Sequence, residues 1–266
     1  MVKIFTMVKD EVDIIRDWII YHGSLFGYNN IYVIDNYSTD GTYEILKEYS
    51  KQIFIIRKND YKNKGLYMTE LIKNYCKNEI AFPIDVDEFI VYYDDVINID
   101  KTLINNYINK LPSASVYKCN YIFSQITNEN GYERATVESQ YGCYHNLGSH
   151  AKSFINTKYY SGIIDHGNHI PTDKFLLTKI CLIHYHSRNL NQMKKKILNN
   201  VLGLGYPNDI NALKRLLLNN DKCPGNHHVK NQINVLENTF ILYTTTILPS
   251  FIDLSPFAQR IKDGYF

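Results

Sequence analysis

The chain has 266 residues, 45% hydrophobic and 21% charged, with a formal net charge of +2. That is ordinary globular composition, long enough to bury one large α/β core. A charge so near zero offers no bulk attraction to nucleic acid or to a membrane surface, and no apolar stretch approaches the roughly 20 residues of a membrane span. Residues 2–7 read as a first strand. Residues 12–25 carry Val12, Ile15, Trp18, Ile19, His22 and Leu25 at helical spacing. A second strand over 31–34 runs into Ser38-Thr39-Asp40-Gly41-Thr42, a turn in which Ser38 or Asp40 caps a helix over 42–49. A strand over 53–56, a helix over 66–76 and a strand over 80–84 follow. This alternation predicts an α/β fold, a mostly parallel sheet flanked by helices.

The second half is less regular. Residues 103–108 read as a helix and 114–119 as a strand. Residues 124–150, rich in Asn, Gly, Ser and Tyr, read as a long loop or irregular hairpin. Two more strands are expected over 153–155 and 176–184. Helices then run over 189–202, 208–219 and 229–247, punctuated by Pro207 and by Cys223-Pro224-Gly225. The expected organisation is one domain over 1–188 and a C-terminal helical extension over 189–266 packed on it. Five widely spaced cysteines with no C-x-x-C pair fit a reducing compartment. No basic segment followed by an apolar one opens the chain, so a cytoplasmic location is expected.

In parallel sheets, ligands bind beyond the C-terminal strand ends. The segments to watch are therefore Val8-Lys9-Asp10-Glu11, Asp35-Asn36 and Asp85-Val86-Asp87. The last is the most informative. Asp85, Asp87 and Glu88 crowd the end of an apolar strand, and buried carboxylates need a positive compensator. A divalent cation with hard oxygen ligands, Mg²⁺ or Mn²⁺, would serve, and it would in turn hold a diphosphate. The alternative is a solvated acidic loop. Asp35 can accept the imide N–H of uracil or thymine, or simply form the turn. Glu11 either helps hold a nucleoside or complements a helix dipole. The run Lys194-Lys195-Lys196 reads as a solvated helix face.

Four ordered segments carry a resemblance: Lys9-Asp10-Glu11, then Trp18-Ile19-Ile20-Tyr21-His22, then Asp35-Asn36-Tyr37-Ser38-Thr39-Asp40-Gly41-Thr42, then Asp85-Val86-Asp87-Glu88-Phe89. Together they resemble the GT-A glycosyltransferases, specifically the family-2-like and family-92-like enzymes, over roughly the first 90 residues. The resemblance implies a GT-A (Rossmann-like) sheet and transfer of a sugar, with inversion, from a nucleotide-sugar donor, UDP-linked, to a hydroxyl of a glycan, protein or lipid. It implies Asp35 on the base, Asp87 as a direct metal ligand, and Asp85 beside the ribose, the donor sugar or the metal. Glu88 orients the loop. His184, after the apolar run 179–183, is the candidate third ligand; the alternative is a structural strand-end histidine. Lys152 and Arg188 would neutralise the diphosphate or be surface charges. The E-D pair that would supply a general base is missing, and Asp165-His166 is the best substitute, unless it is only a polar turn before Pro171. Glu138 is a weaker choice. The C-terminal helices would cover the acceptor or make a homodimer contact.

Two rivals remain. A sugar nucleotidyltransferase would carry a glycine-rich loop after the first strand, and Val8-Lys9-Asp10-Glu11 has no glycine. A non-catalytic nucleotide- or carbohydrate-binding protein would not need Asp35 together with Asp85 and Asp87.

Overall fold

The computed structural model describes residues 1–219, 225–245 and 250–264. β1 (Val2–Val8), β2 (Ile31–Asp35), β3 (Phe54–Arg57) and β4 (Ile80–Pro83) are separated by α1 (Ile15–Phe26), α2 (Thr42–Glu48) and α3 (Lys64–Tyr75). The four strands pair in parallel in the order β3-β2-β1-β4. Alternate residues serve opposite faces. Ile4, Val8 and Val33 join Trp18 and Ile19 of α1 in one core, while Phe5, Met7 and Ile34 join Met68, Leu71 and Ile72 of α3 in another. Burial on both faces is why these strands read as nearly unbroken apolar runs.

The remainder extends the same sheet. β5 (Glu88–Asp94), β6 (Val96–Asn98) and α4 (Lys101–Asn109) come first, then β7 (Val116–Ser124), α5 (Ala135–Glu138), β8 (Tyr141–His145), β9 (Lys152–Asn156) and β10 (Leu176–His184). The full order is β3-β2-β1-β4-β9-β7-β10-β5-β6, with β8 on β7. β7 and β10 are parallel, whereas β4–β9, β9–β7, β10–β5 and β5–β6 are antiparallel. The α/β sheet is thus parallel in its first half and mixed in its second. β5 was not expected, because it starts on a carboxylate. Glu88 is fully buried there, bonded by Tyr121 and Lys152. Residues 124–150 are also more regular than their composition implies, holding α5 and β8.

After residue 189 the chain forms α6 (Leu190–Gly203), α7 (Ile210–Asn219) and α8 (Asn226–Leu236). Val201, Leu213, Val229 and Ile233 make a small core among them. α8 stops well short of residue 247, because Asn238 takes a left-handed conformation (φ 59°) just beyond its end. Cys223, Pro224 and residues 246–247 lie outside the described residues. The C-terminal part is not helical throughout. β11 (Ile252–Asp253) pairs with β8, and α9 (Ser255–Asp263) sets Phe257 against Tyr21 and Phe89 in the main core. Among the described residues no helix is long and apolar enough to cross a membrane, and Cys76, Cys119, Cys143 and Cys181 are free thiols.

Candidate functional site

A cavity of about 1170 Å³ opens beyond the C-terminal ends of β1, β2 and β4. Its floor is made by residues 7–11, Asn36, Thr39 and residues 85–87. Its walls come from residues 59–62, Lys64, His166, His184 and His186, and its roof from the polar face of α6 and the start of α8.

The floor is stitched together by the motifs themselves. The Asn36 N–H donates to the Val8 carbonyl at 2.8 Å. Asp10 N–H donates to Ser38 Oγ at 3.0 Å, Glu11 N–H to Thr42 Oγ1 at 2.8 Å, and Val12 N–H to Asp40 Oδ2 at 3.2 Å. Ser38 and Asp40 therefore tie two strand-end loops together; Gly41 holds the N-cap position of α2, and the Asp40 carboxylate before it accepts the Thr42 N–H at 2.9 Å, capping the helix start. Asp10 and Tyr37 sit at φ 54° and 52°, a region unfavourable for residues with a Cβ. The cross-loop bonds over-determine it.

Asp35 is fully buried. Its Oδ1 accepts the Ser38 N–H at 3.1 Å and its Oδ2 accepts Arg57 Nε at 2.7 Å. The Arg57 guanidinium lies over the rings of Tyr37 and Tyr43. Asp35 does not line the cavity. Its neighbour Asn36 does, only 6% exposed and with no side-chain hydrogen bond among the described residues. Glu11 lines the cavity but is bound by Arg188 Nη2 and, at 3.1 Å, by Gln192 Nε2. Burial raises its pKa and Arg188 works against that. Arg188, buried rather than on the surface, also grips Asp13 Oδ2 at 2.7 Å.

The acidic turn joins β4 to β5. Glu88 Oε2 accepts the Asp85 N–H at 2.8 Å and closes the turn, the orienting role expected of it. Asp85 is held by Lys64 Nζ and Lys152 Nζ, both at 2.7 Å, and by Asn168 Nδ2 at 2.9 Å. Burial alone would lift its pKa, but Lys152 and Lys64 hold it well below the usual carboxylate range. Asp87 Oδ2 faces Lys196 Nζ at 2.5 Å, His184 Nε2 at 3.5 Å and Arg188 Nη1 at 3.8 Å. Burial would raise Asp87 too, and Lys196 and His184 outweigh it. In this structure, then, fixed cations compensate the acidic cluster. Lys152 reaches Asp85, Glu88 and the Gly167 carbonyl but does not line the cavity.

The turn is positioned from behind by the W-x-x-Y-H segment of α1. Trp18 Nε1 donates to the Glu88 carbonyl at 3.1 Å, and the Tyr21 hydroxyl to the Ile90 carbonyl at 2.5 Å. His22 Nε2 accepts the Ile90 N–H at 3.4 Å. Spacing i, i+3, i+4 puts the three side chains on one helix face, and that face clamps the backbone of β5.

Asp165 and His166 part company. The Asp165 carboxylate accepts the His169 N–H at 2.6 Å within a tight turn, whereas His166 lines the cavity, edge-on to Tyr61. Burial and the nearby Lys64 lower the His166 pKa. Glu138 accepts the Arg134 N–H at 2.6 Å in α5 and does not line the cavity.

Among the described residues no group of three or more His, Cys, Asp and Glu could hold a metal. The oxygens of Asp85 are taken by two lysines and an amide. Asp87 and His184 remain, a carboxylate and an imidazole side by side where the floor meets the wall. The His184 ring is set between Tyr121 and Phe123, and its Nδ1 has no hydrogen-bond partner among the described residues. A carboxylate with an imidazole would suit Mn²⁺ better than Mg²⁺, provided that phosphate oxygens and water supplied the other ligands. The pair does not fit an all-protein cage.

Sequence reasoning missed Lys64, Lys196, Asn199 and Asn200, all of which line the cavity. The signal for three of them was present: Gln192, Lys196, Asn199, Asn200 and Gly203 recur at helical spacing beside the apolar stripe Met193, Ile197 and Val201. Reading Lys194-Lys195-Lys196 as one charge run hid that stripe.

No protein-family model matches the chain, and no curated protein matches it. Among solved structures it is similar to TarS 1–349 of S. aureus, at 11% identity and a TM-score of 0.42, covering 90% of this chain and 71% of that one. The same fragment in complex with UDP gives 11% identity and a TM-score of 0.43, covering 89% and 70%. HddC of Yersinia pseudotuberculosis is 10% identical with a TM-score of 0.39, covering 69% of this chain and 93% of that one. Likenesses this distant leave substrate and activity to the chemistry of the site.

Proposed function

We propose that this chain is a GT-A glycosyltransferase that takes a sugar from a nucleotide-sugar donor, UDP-linked, and passes it to a hydroxyl of a glycan, protein or lipid. One observation carries the reading: the strand-end cavity is lined by the Asp87–His184 pair, beside loops with a buried Asn36 that has no side-chain hydrogen bond among the described residues. In this reading the nucleoside lies along residues 8–11. Asp35, locked by Arg57 and Ser38, backs the base contact from behind, and Asn36 makes it with a carboxamide that both donates and accepts. Asp87 and His184 would hold a divalent cation, Mn²⁺ or Mg²⁺, whose charge would neutralise the leaving diphosphate. Asp85, fixed by Lys64 and Lys152, keeps the turn in register where it lines the cavity beside the donor sugar. His166, neutral near pH 7, takes the acceptor proton as the hydroxyl attacks. Attack opposite the leaving diphosphate inverts the anomeric carbon.

The test is a panel of nucleotide sugars with Mn²⁺, read as nucleotide diphosphate released with and without sugar acceptors. Turnover of at least one UDP-sugar, lost in Asp87→Ala, is the expected result. Binding without any turnover across the panel would make the protein a nucleotide-binding module instead.

A further inference from the structure

We propose that Lys196 is a diphosphate-binding residue that rests on Asp87 and changes partner when the donor arrives. The proposal builds on the reading of Asp87 as a cation ligand and adds a role for α6. Lys196 Nζ lies 2.5 Å from Asp87 Oδ2, the same oxygen that faces His184. A divalent cation bonded to that oxygen and an ammonium beside it repel each other strongly in a buried site. Lys196 and the cation therefore compete for Asp87.

The other two lysines of the cluster cannot play this part. Lys152 has a side chain only 2% exposed and is pinned by Asp85, Glu88 and the Gly167 carbonyl. Lys64, 8% exposed, is bound to Asp85, whose oxygens are not offered to the cation. Lys196 has one hydrogen-bond partner among the described residues, lines the cavity, and is 20% exposed. Its long flexible stem lets the ammonium swing. The helix itself need not move. Gln192 bonds the Asp10 carbonyl and Glu11, and Asn199 bonds Asp10 Oδ2, so α6 is already fastened to the loop proposed to hold the nucleoside.

A diphosphate resolves the conflict, because its oxygens accept the ammonium while Asp87 turns to the cation. Cation and nucleotide then bind with positive coupling, and the coupling is reciprocal. Without nucleotide, Lys196 keeps the cation off.

The test measures Mn²⁺ binding to the full chain by the electron paramagnetic resonance signal of free Mn²⁺, and UDP binding by calorimetry with and without Mn²⁺. Lys196→Met is expected to bind Mn²⁺ roughly tenfold tighter than the parent in the absence of nucleotide, and UDP with Mn²⁺ roughly tenfold weaker, in line with ordinary coupling strengths. Lys196→Arg, which keeps the charge, is expected to retain the weak Mn²⁺ binding and guards against a misfolded methionine variant. Unchanged Mn²⁺ affinity in a folded Lys196→Met, with binding lost in Asp87→Asn, overturns the exchange alone. Mn²⁺ binding indifferent to both substitutions overturns the cation reading along with it.

Discussion

At the scale of single residues, the site divides into groups that hold the scaffold and groups that face the cavity. Asp87 is the critical one of the second kind. Asp87→Ala should cost several kcal/mol of transition-state stabilisation, roughly 100-fold or more in rate, with an unaltered far-UV spectrum. His166 makes a pH prediction. Burial and Lys64 lower its pKa, with Asp85, a hydrogen bond with the Lys62 backbone and Asp165 acting in the other direction. A general base must be unprotonated, so activity should persist below the ordinary histidine value and fall as pH drops through the lowered one. His166→Ala should remove that acid limb and reduce kcat by roughly 10²–10⁴-fold, measured as UDP release against pH. The residues in the acidic turn were legible because three carboxylates after an apolar run demand compensation. What compensates them was not legible. Lys64 and Lys152 come from α3 and β9, 21 and 67 positions away from Asp85, and no local pattern links them.

At the scale of elements, the W-x-x-Y-H segment shows how a motif can be a clamp rather than a site. Trp18, Tyr21 and His22 bond the backbone of β5 and so set where the acidic turn begins. Tyr21→Phe leaves the buried Ile90 carbonyl without its hydroxyl donor, at a cost of about 1–3 kcal/mol, checked by urea unfolding. Loss of turnover beyond that expected from unfolding would show the turn shifting as well. The parallel strands were readable from their apolar runs, and β10 from its length. β5 was not, because a buried Glu88 contradicts the apolar pattern unless its partners Tyr121 and Lys152 are known. The stripe on α6 was readable in principle, and its adjoining lysines concealed it.

At the scale of the whole molecule, Arg188 joins the loop after β1 to the end of β10 and the start of α6. It contacts Glu11, Asp13 and Asp87 while buried. Arg188→Met strands those carboxylates, and should destabilise by roughly 3–5 kcal/mol, measured by denaturant titration. The acidic cluster also sets the acid stability. The Asp85 and Asp87 pKa values are lowered in the folded state. The unfolded chain therefore binds protons first, and their contribution, complete above about pH 5, is lost as pH falls through the unfolded carboxylate value near 4 and below. Melting temperature should drop on that acid side, and less steeply in Asp85→Asn. The last strand and helix return to the main core, a long-range pairing invisible in a two-residue strand such as β11. All of this converges on the cavity. Crystals soaked with Mn²⁺ and UDP, with data collected at the manganese absorption edge, address it most directly. An anomalous peak at Asp87 and His184, with nucleotide density along residues 8–11 and Asn36, is expected. Metal and nucleotide bound elsewhere, with nothing at Asp87, would contradict it.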